Sequence, residues 1–387
     1  MHSRLPHSQP SPAPPHPTGI AAPLPVPTVV EPGMTEDQRT RPGAGAPSGC
    51  GPAVPPPPWR RWARPRGGWS LSEIPDLSGR TAVVTGADRG IGLAAAEYLA
   101  RHGAHVLTLC TAAGERGHTA ATMSRRRAWG NRMDNVPCDL AQLEQVRRAA
   151  RDILGLAGGR VDVLVNNAGV AALPPTRSAD GHEAHFAVNH LGHFALTGHL
   201  LPGLLNAPQP RVVNVTSVLH WLGRFRPDQA AAPRRYHRWT AYFDSKLANL
   251  LFTHGLHAFA DARGLPLRSI AAHPGLVNTT LGSRDLRADA RHLEARALEW
   301  VQARRQSPAQ GALSLLRAAT DPHIDGGDLL GPGGRWECSG PPVPVRAARR
   351  ATDPRAAERL WRLSQHLTGH PFPTDGRKPT RDHGENL

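Results

Sequence analysis

Apolar residues divide the chain after residue 80 into short β-branched runs and longer amphipathic stretches. The short runs predict six strands, at residues 80–86, 105–110, 135–138, 161–167, 211–217 and 268–274. Helix-length segments fill every gap between these runs. Strands that are apolar on both faces and separated by helices are typical of a parallel sheet covered on both sides. The pattern therefore predicts an α/β fold, a doubly wound sheet of about seven strands with ligands bound at the carboxyl ends of the strands.

Two later stretches predict helices. Apolar residues recur at 286, 290, 293, 297, 300 and 301 with arginines on the opposite face, which is a helical period and predicts one helix over about 286–304. The segment RAAERLWRLSQHL predicts a final helix that packs back on the domain.

Composition changes the picture at both ends of the chain. Residues 1–70 contain 18 of the 39 prolines and few large aliphatic residues, so they bury too little apolar surface to offset the entropy of ordering. We therefore predict a disordered arm over 1–70, a folded domain with the candidate chemistry over 71–340, a C-terminal extension over 341–370 and a disordered tail over 371–387.

The sequence shows no pattern typical of membrane insertion or secretion. No run of about 20 apolar residues occurs, and the order of charged, apolar and small residues that marks a secretory signal is missing. The four cysteines, at 50, 110, 138 and 338, form neither CxxC pairs nor a disulfide framework. These observations favour free thiols and a cytoplasmic location.

The formal net charge of +15 comes from 46 basic against 31 acidic residues, without a single basic stripe. Net charge bears on solubility and non-specific binding, so we expect no specific nucleic-acid partner. The stretch at 59–69 interleaves Trp59, Trp62 and Trp69 with four arginines. Such a mixture could make weak peripheral contact with an anionic membrane surface or stack on bases, although a plain linker explains it more simply.

A glycine-rich turn follows the first predicted strand. In TGADRGIG, Gly86, Gly90 and Gly92 follow the spacing G-x-x-x-G-x-G between a strand and a helix. Glycines there permit a tight turn, close approach of backbone N–H groups to a pyrophosphate, and packing of the helix on the strand. The turn predicts a dinucleotide site with its phosphates at a helix N-terminus.

Polar residues collect at the ends of the later strands. They are Asp139, NNAG at 166–169, Ser217, Tyr242, Lys246 and HPGLVNT at 273–279. With the glycine turn, this arrangement resembles the short-chain dehydrogenase/reductase family, and AYFDSKLANLLFT with SPAQGA resembles its retinol-dehydrogenase-like branch. The resemblance covers residues 74–340 and weakens towards 370. It implies a Rossmann-type fold and an NAD(P)-dependent enzyme that interconverts a carbonyl and an alcohol.

Tyr242 and Lys246 lie four residues apart, so a helix places them on one face. A tyrosine hydroxyl has a free pKa of about 10 and exchanges protons poorly near neutrality unless a cation lowers that value. We therefore expect Tyr242 to be the general acid/base and Lys246 its electrostatic partner. The resemblance further implies that Lys246 binds the nicotinamide ribose, Ser217 steadies the reacting oxygen and Asn189 completes a proton relay.

The resemblance also implies a cofactor site made by the glycine turn and the strand ends. Its members are Thr85, Gly86, Asp88, Arg89, Gly90, Ile91, Gly92, Thr111, Asp139, Leu140, Asn167, Ala168, Gly169, Tyr242, Lys246, Pro274, Gly275, Val277 and Thr279. An NAD enzyme usually has an acid at the end of the second strand, but Cys110, Thr111 and Ala112 stand there. Related sequences often have arginine in place of Thr111, while Arg89 matches a position that other family members use for the 2′-phosphate. NADP(H) is therefore favoured over NAD(H).

Apolar residues flank the predicted site. The segment 218–241 carries Trp221, Phe225 and Trp239, and residues 280–305 would form a second lid. These residues suggest an apolar small-molecule substrate, a retinoid-, steroid- or lipid-like or xenobiotic carbonyl or alcohol. The oligomeric state is open, with a homo-oligomer as one option.

Three other interpretations remain open: a catalytically silent NAD(P)-binding sensor or scaffold, a proline-rich adaptor and a basic surface binder. The intact set of Tyr242, Lys246 and Ser217 argues against the sensor. Truncation of the terminal segments would test the other two.

Four histidines in GHEAHFAVNHLGHF, at 182, 185, 190 and 193, have spacings that could suggest a metal site. Only the pairs 182/185 and 190/193 are close on a helix, and hydride transfer needs no zinc. We expect no metal.

Overall fold

The structure, a computed structural model, describes residues 68–111, 133–226, 236–277, 283–303, 306–370 and 372. The predicted arm up to residue 67, nearly all of the predicted tail, Ala112 and Thr279 lie outside the described residues.

The described residues form one mostly parallel sheet of eight strands. The strands are β1 (Thr81–Thr85), β2 (His105–Cys110), β3 (Met133–Pro137), β4 (Val163–Asn166), β5 (Arg211–Val215), β6 (Arg268–Ala272), β7 (Leu329–Pro332) and β8 (Pro342–Pro344), in the spatial order 3-2-1-4-5-6-7-8. The six predicted strands and the doubly wound fold are confirmed. Strand β7 extends the sheet in parallel beside β6, and β8 pairs with β7 antiparallel, which makes the sheet one strand larger than predicted.

The order of the strands reverses between β1 and β4. Strands β2 and β3 lie on one side of β1, and all later strands lie on the other. Val84 pairs with Val165, so the two strands end side by side. Ligands of such sheets bind outside the carboxyl ends of the strands at the point of reversal, which here lies between the glycine turn and the loop after β4.

Helices cover both faces of the sheet. The described helices of six or more residues are α1 (Gly90–Arg101), α2 (Leu143–Leu156), α3 (Gly192–Leu205), α4 (Arg238–Asp261), α5 (Ser283–Ala288), α6 (His292–Ala303), α7 (Pro308–Thr320) and α8 (Pro354–Thr368). Shorter turns of 3₁₀-helix lie at Leu71–Glu73, Val218–Leu222, Arg335–Glu337 and Arg349–Thr352. Leu99 of α1 and Leu315 of α7 belong to the core on one face, whereas Val146 of α2 and Leu250 of α4 belong to the core on the other.

The prediction of one helix over 286–304 is wrong, because the structure has two helices there. Helix α5 ends at Ala288 and is followed by a left-handed residue, Ala290, with a φ of +56°. The N–H of Ala290 donates to the carbonyl of Arg287, and the N–H of Arg291 donates to the carbonyl of Leu286. This pair of bonds is the Schellman motif, which ends a helix without interrupting the apolar period that the sequence shows.

Helix α8 packs on α3 and α4 through aromatic rings. The ring of Trp361 lies 5.3 Å from that of Phe194 and 5.5 Å from that of Phe259, between ring centroids. Phe372, which follows the helix, is buried with its ring centroid 4.6 Å from that of Trp361. The C-terminal extension therefore closes the core on this face of the sheet.

Trp69 belongs to the core on the opposite face. Its side chain is 6% exposed and clusters with Ile74 and Leu77 beneath α1 and α7. A domain boundary at residue 70, taken from composition, would therefore leave a core side chain in the arm.

None of the helices in the described ranges combines the length and the apolar character that a bilayer crossing requires.

Candidate active site

The turn between β1 and α1 requires glycine at its tightest points. Gly86 has a φ of +64°, and a Cβ there would lie 2.8 Å from the Cα of Ala168. A Cβ on Gly92 would lie 2.4 Å from the carbonyl oxygen of Gly86. Arg89 occupies the N-cap position of α1, and its side chain does not cap the helix. The first N–H groups of α1, which begins with Gly90, Ile91 and Gly92, can therefore donate to a phosphate group.

Thr85 joins the glycine turn to the loop after β4. Its Oγ1 accepts hydrogen bonds of 2.9 Å from the backbone N–H groups of both Asn167 and Ala168. The side chain of Asn167 donates to the carbonyl oxygen of Thr85 at 2.8 Å. The structure thus brings together the predicted cofactor residues of the first and fourth strand ends.

His193 links this joint to Asn189, a role that its sequence spacing did not reveal. Its Nδ1 lies 3.0 Å from the carbonyl oxygen of Asn189, and its Nε2 lies 2.8 Å from Oγ1 of Thr85. Because a carbonyl oxygen only accepts, Nδ1 carries the proton and Nε2 accepts from the threonine hydroxyl. Burial lowers the pKa of His193 to about 4, which keeps the ring neutral.

Asn189 holds the loop after β4 in place. It lies in a turn of π-helix, Ala187–Leu191, that leads into α3. Its Oδ1 accepts from the N–H of Val170 at 2.8 Å, and its Nδ2 donates to the carbonyl of Val170 at 3.0 Å. Nδ2 also lies 2.9 Å from Oγ of Ser245, so the asparagine connects this loop to α4.

Lys246 is buried where α4 crosses the end of β5. Its side chain is 4% exposed, and its Nζ donates to the carbonyl of Val215 at 3.2 Å. A Cβ on Gly169 would lie 3.2 Å from Oδ1 of Asn189 and 3.4 Å from Nζ, so the loop after β4 lies in contact with the ammonium. Burial lowers the pKa of Lys246 to about 8.

Tyr242 lies one helical turn before Lys246 and is 6% exposed. Burial raises the pKa of its hydroxyl, and hydrogen bonding with the side chain of Ser217 acts in the opposite direction. The expected lowering by Lys246 is not seen, because the ammonium is bonded to Val215 and lies 5.8 Å from the centroid of the tyrosine ring. Tyr242 is therefore held in the protonated form, which suits a proton donor.

Ser217 comes directly after β5 and caps the 3₁₀ turn Val218–Leu222. Its Oγ accepts from the N–H of Leu219 at 3.2 Å. Because Oγ accepts this bond, its own proton can be donated to the hydroxyl of Tyr242, which is the hydrogen bond that opposes the rise of the tyrosine pKa. Ser217, Tyr242 and Lys246 thus meet at the carboxyl end of β5.

Asp139 and Leu140 follow β3, on the other side of β1. The Asp139 carboxylate accepts from the N–H of Ala141 at 3.0 Å and from Nε2 of Gln142 at 2.9 Å. Leu140 is buried, and its carbonyl oxygen would lie 2.4 Å from a Cβ on Gly192 at the start of α3. Local bonds therefore fix the Asp139 carboxylate at the rim of the sheet.

Residues 274–277 follow β6 and depend on partners far along the chain. Gly275 has a φ of +74°, and a Cβ there would lie 2.6 Å from the carbonyl oxygen of Cys338. Nε2 of Gln306 donates to the carbonyls of Pro274 at 2.8 Å and of Cys338 at 3.1 Å. Val277 pairs with Gln306 in an isolated parallel bridge. Gln306 and Cys338 have no local sequence signal that would assign them to this site, because they lie about 30 and 60 residues beyond the predicted motif.

The residues expected to select the cofactor are exposed. The Arg89 side chain is 57% exposed and pairs with Asp88 at 3.2 Å, a surface contact of low energy that a phosphate group could displace. Thr111 is exposed directly after β2. Strand β2 ends at Cys110 without an acid, as its sequence requires.

The rings of His185, Trp239 and Phe243 pack near Tyr242. The ring centroid of Trp239 lies 6.4 Å from that of Tyr242, and Trp239 also packs against Leu286 of α5 and Ala295 of α6. Trp221 is 44% exposed in the 3₁₀ turn after Ser217. The two regions predicted to form the entrance therefore meet around Trp239.

The histidines at 185 and 190 have structural partners, like His193. Nδ1 of His185 lies 2.8 Å from Oε1 of Glu183, and Nε2 of His190 lies 2.7 Å from Oγ of Ser364. Over the described residues, no group of three or more His, Cys, Asp or Glu side chains could hold a metal ion.

Comparison with known proteins identifies relatives across most of the chain. The family model for short chain dehydrogenases matches residues 80–290. Mouse polyprenol dehydrogenase is 37% identical over 322 residues, which cover 79% of this chain and 89% of that protein. Bovine retinol dehydrogenase 12 is 36% identical over 299 residues, which cover 76% of this chain and 87% of that protein.

A solved structure shows the same architecture. The crystal structure of an uncharacterized protein from Mycobacterium paratuberculosis is 36% identical, with a TM-score of 0.62. The match covers 79% of this chain and all of that chain, at 100%. Ser217, Tyr242 and Lys246 lie within the residues that the family model matches.

Proposed function

Because the chain belongs to the short chain dehydrogenase family, in its retinol-dehydrogenase-like branch, and is an oxidoreductase of CH–OH groups, we propose that it interconverts an apolar carbonyl and its alcohol with NADP(H). The observation that carries this proposal is the meeting of Tyr242, Ser217 and Lys246 at the carboxyl end of β5, with Nζ of Lys246 beside Gly169 in the loop after β4. The family uses a nicotinamide cofactor, and the choice of NADP(H) is part of the proposal.

The residues at the point where the strand order reverses fit such a cofactor. The glycine turn leaves no room for a Cβ at Gly86 or Gly92, which brings backbone N–H groups of α1 to its surface. When bound, the cofactor supplies or accepts the hydride.

Side chains of the protein carry out the proton transfer. In the direction of reduction, the hydroxyls of Ser217 and Tyr242 hold the carbonyl oxygen, and Tyr242 gives its proton to that oxygen as negative charge develops. Burial raises the pKa of Tyr242, so the donor is protonated at neutral pH. Lys246, buried one turn away, is placed to bind the nicotinamide ribose. The loop that Asn189 fixes keeps Gly169 beside this ammonium.

Charge at the cofactor end favours NADP(H). Strand β2 ends at Cys110 and Thr111 follows it, so the described residues provide no carboxylate at this strand end to accept from a ribose 2′-hydroxyl. Arg89 lies at the mouth of the glycine turn, and its guanidinium can exchange the weak contact with Asp88 for a charge-assisted bond to a 2′-phosphate.

An apolar substrate agrees with the aromatic surroundings of Tyr242. Trp239 and Trp221 offer apolar surface on the substrate side. Two relatives in the comparison are named for retinol and polyprenol, which are apolar alcohols. We therefore include retinoid-, steroid- and lipid-like carbonyls and apolar xenobiotics in the proposed range.

A spectrophotometric screen tests the function. NADPH and NADH consumption would be followed at neutral pH with panels of apolar ketones, aldehydes and retinoids, with the Tyr242→Phe variant as the control for non-enzymatic oxidation. Turnover of apolar carbonyls by the wild type alone is expected. Tight NADPH binding without turnover on any panel would contradict the proposal and identify a cofactor-binding sensor instead.

A further inference from the structure

His220 connects the catalytic strand end to the C-terminal extension. Its ring is fully buried, three residues after Ser217. Nδ1 lies 2.7 Å from the carbonyl oxygen of Ser217, and Nε2 accepts from the backbone N–H of Ala348 at 3.2 Å. A carbonyl oxygen can only accept and a backbone N–H can only donate, so these partners fix a single neutral tautomer with the proton on Nδ1.

A second bond from the extension reaches the other end of the same turn. Nη1 of Arg350 donates to the carbonyl oxygen of Gly223 at 2.6 Å. The 3₁₀ turn Val218–Leu222 is therefore held at its start by Ala348, through His220, and just beyond its end by Arg350.

Hydrogen bonds within this 3₁₀ turn determine the position of the Ser217 hydroxyl. Oγ of Ser217 accepts from the N–H of Leu219, and the carbonyl of Ser217 accepts from the N–H of His220 at 3.0 Å as well as from its ring. A shift of the turn would therefore move Leu219 and His220, the two hydrogen-bond partners of Ser217, at the same time. A misplacement of about 1 Å in a catalytic group is enough to cost about 100-fold in rate.

We propose that His220 is a positioning residue through which the segment 348–350 of the C-terminal extension holds the Ser217 hydroxyl in its reactive orientation. The proposal rests on the proposed function, since it gives Ser217 a role in turnover. It adds a part of the chain that lies beyond residues 80–290, the range of the family match, to the active site.

The electrostatic surroundings of the ring agree with this neutral bridge. Burial lowers the pKa of His220 to about 4, and the bond to Ser217 opposes that change. Of the charged neighbours, His273 and Arg350 lower the pKa and Glu337 raises it. The ring therefore keeps the tautomer that both hydrogen bonds require throughout the neutral range.

A double-mutant cycle tests the coupling to Ser217. His220→Phe keeps the ring volume and removes both hydrogen bonds, so kcat should fall by about 10-fold or more while the Kd for NADPH changes less than about twofold. His220→Asn keeps a donor near the position of Nδ1 and should recover part of the loss. In the Ser217→Ala background, His220→Phe should reduce kcat little further, because the group that it positions is gone. Fully multiplicative losses, or an unchanged kcat in His220→Phe, would overturn the proposal.

Hydrogen exchange tests the coupling without turnover. Arg350→Ala removes the bond to Gly223, whereas Arg349→Ala removes the same charge from the exposed neighbouring residue. Amides of 218–223 should exchange at least about twofold faster in Arg350→Ala and in His220→Phe than in the wild type or Arg349→Ala. Equal exchange in all four proteins would overturn the proposal even if the wild type is active. If the wild type reduces no carbonyl, the proposed function fails, and the exchange comparison still decides whether the extension holds the turn.

Discussion

Nζ of Lys246 donates a 3.2 Å hydrogen bond to the carbonyl oxygen of Val215, which fixes the cation of α4 at the end of strand β5. The same carbonyl accepts from Nδ2 of Asn249 at 3.0 Å. Lysine is otherwise rare in this chain, since Lys246 and Lys378 are the only lysines among 46 basic residues. The position requires a compact ammonium in a buried space that also borders Tyr242 and Gly169.

Lys246→Arg should therefore reduce turnover on the order of 100-fold or more with the fold intact, because a planar and longer guanidinium places its charge elsewhere. Steady-state rates on variants checked by circular dichroism measure the effect. Lys378→Arg, a change at the chain's other lysine, is the matched control. A Lys246→Arg protein with near wild-type turnover would contradict the role given to this lysine.

Lys246→Met should remove activity and raise the free energy of unfolding at pH 7 by an amount on the order of 1–3 kcal/mol. The gain is expected because burial of the ammonium is unfavourable, while the carbonyl of Val215 keeps its hydrogen bond from Asn249. The lysine pKa falls from 10.5 to about 8 on folding, so the unfolded chain binds the proton more tightly between these values. Wild-type stability should then rise with pH across that window, and the advantage of the methionine variant should shrink.

Urea unfolding of both proteins at pH 7 and at about pH 9.5 measures this change. A methionine variant that is less stable at pH 7, or an advantage that grows with pH, would show that the ammonium is not penalised by burial.

Tyr242→Phe should abolish turnover and leave NADPH binding close to that of the wild type, because only the hydroxyl is lost from a buried ring. Rates and a fluorescence titration with NADPH separate the two effects. Ala241→Ser, at the neighbouring position on α4, is the control for a change of one hydroxyl in this helix. Parallel loss of binding and turnover in Tyr242→Phe would point to a structural rather than a proton-transfer role.

The sequence was sufficient to predict the parts of the site that local patterns carry. The glycine turn, Ser217 and the pair Tyr242 and Lys246 each follow a strand or share a helix face, so the fold class determines where they meet. His193 and Gln306 could not be found this way. His193 acts through the hydroxyl of Thr85, and Gln306 acts through the backbone carbonyls of Pro274 and Cys338. These partners are distant in the sequence, and such contacts leave no spacing signal.

The ends of helices and the short strand β8 were also difficult to predict from the apolar pattern. The apolar period across 286–304 continues through Ala290, where backbone hydrogen bonds end α5. Periodicity reports which face is buried, and it does not report where a left-handed residue stops a helix. Strand β8, with only three residues and two prolines, likewise lacks a recognisable strand pattern.

Arg89→Ala should weaken NADPH binding about 10-fold or more and NADH binding little, because only NADPH loses a charge-assisted contact. Arg101→Ala, at the opposite end of α1, controls for the loss of one positive charge from the same helix. Isothermal titration with each cofactor gives the four dissociation constants. An equal loss for NADH and NADPH would exclude Arg89 as the selector of the 2′-phosphate.

Deletion of residues 1–67 should leave the melting temperature and turnover nearly unchanged, because the composition of this segment cannot form a core. Deletion of residues 1–70 should behave differently, since it also removes Trp69, whose buried ring clusters with Ile74 and Leu77. Loss of a buried tryptophan costs about 3–5 kcal/mol, which corresponds to a fall of roughly 10 °C in a domain of this size.

Trp69→Ala in the full chain should reproduce most of that fall, which separates the side chain from the length of the deletion. Differential scanning fluorimetry of the three proteins and the wild type measures it. If deletion of 1–67 already lowers the melting temperature by several degrees, the arm stabilises the domain and the composition argument is wrong. If both deletions leave the melting temperature unchanged, Trp69 does not contribute to the core that covers this face of the sheet.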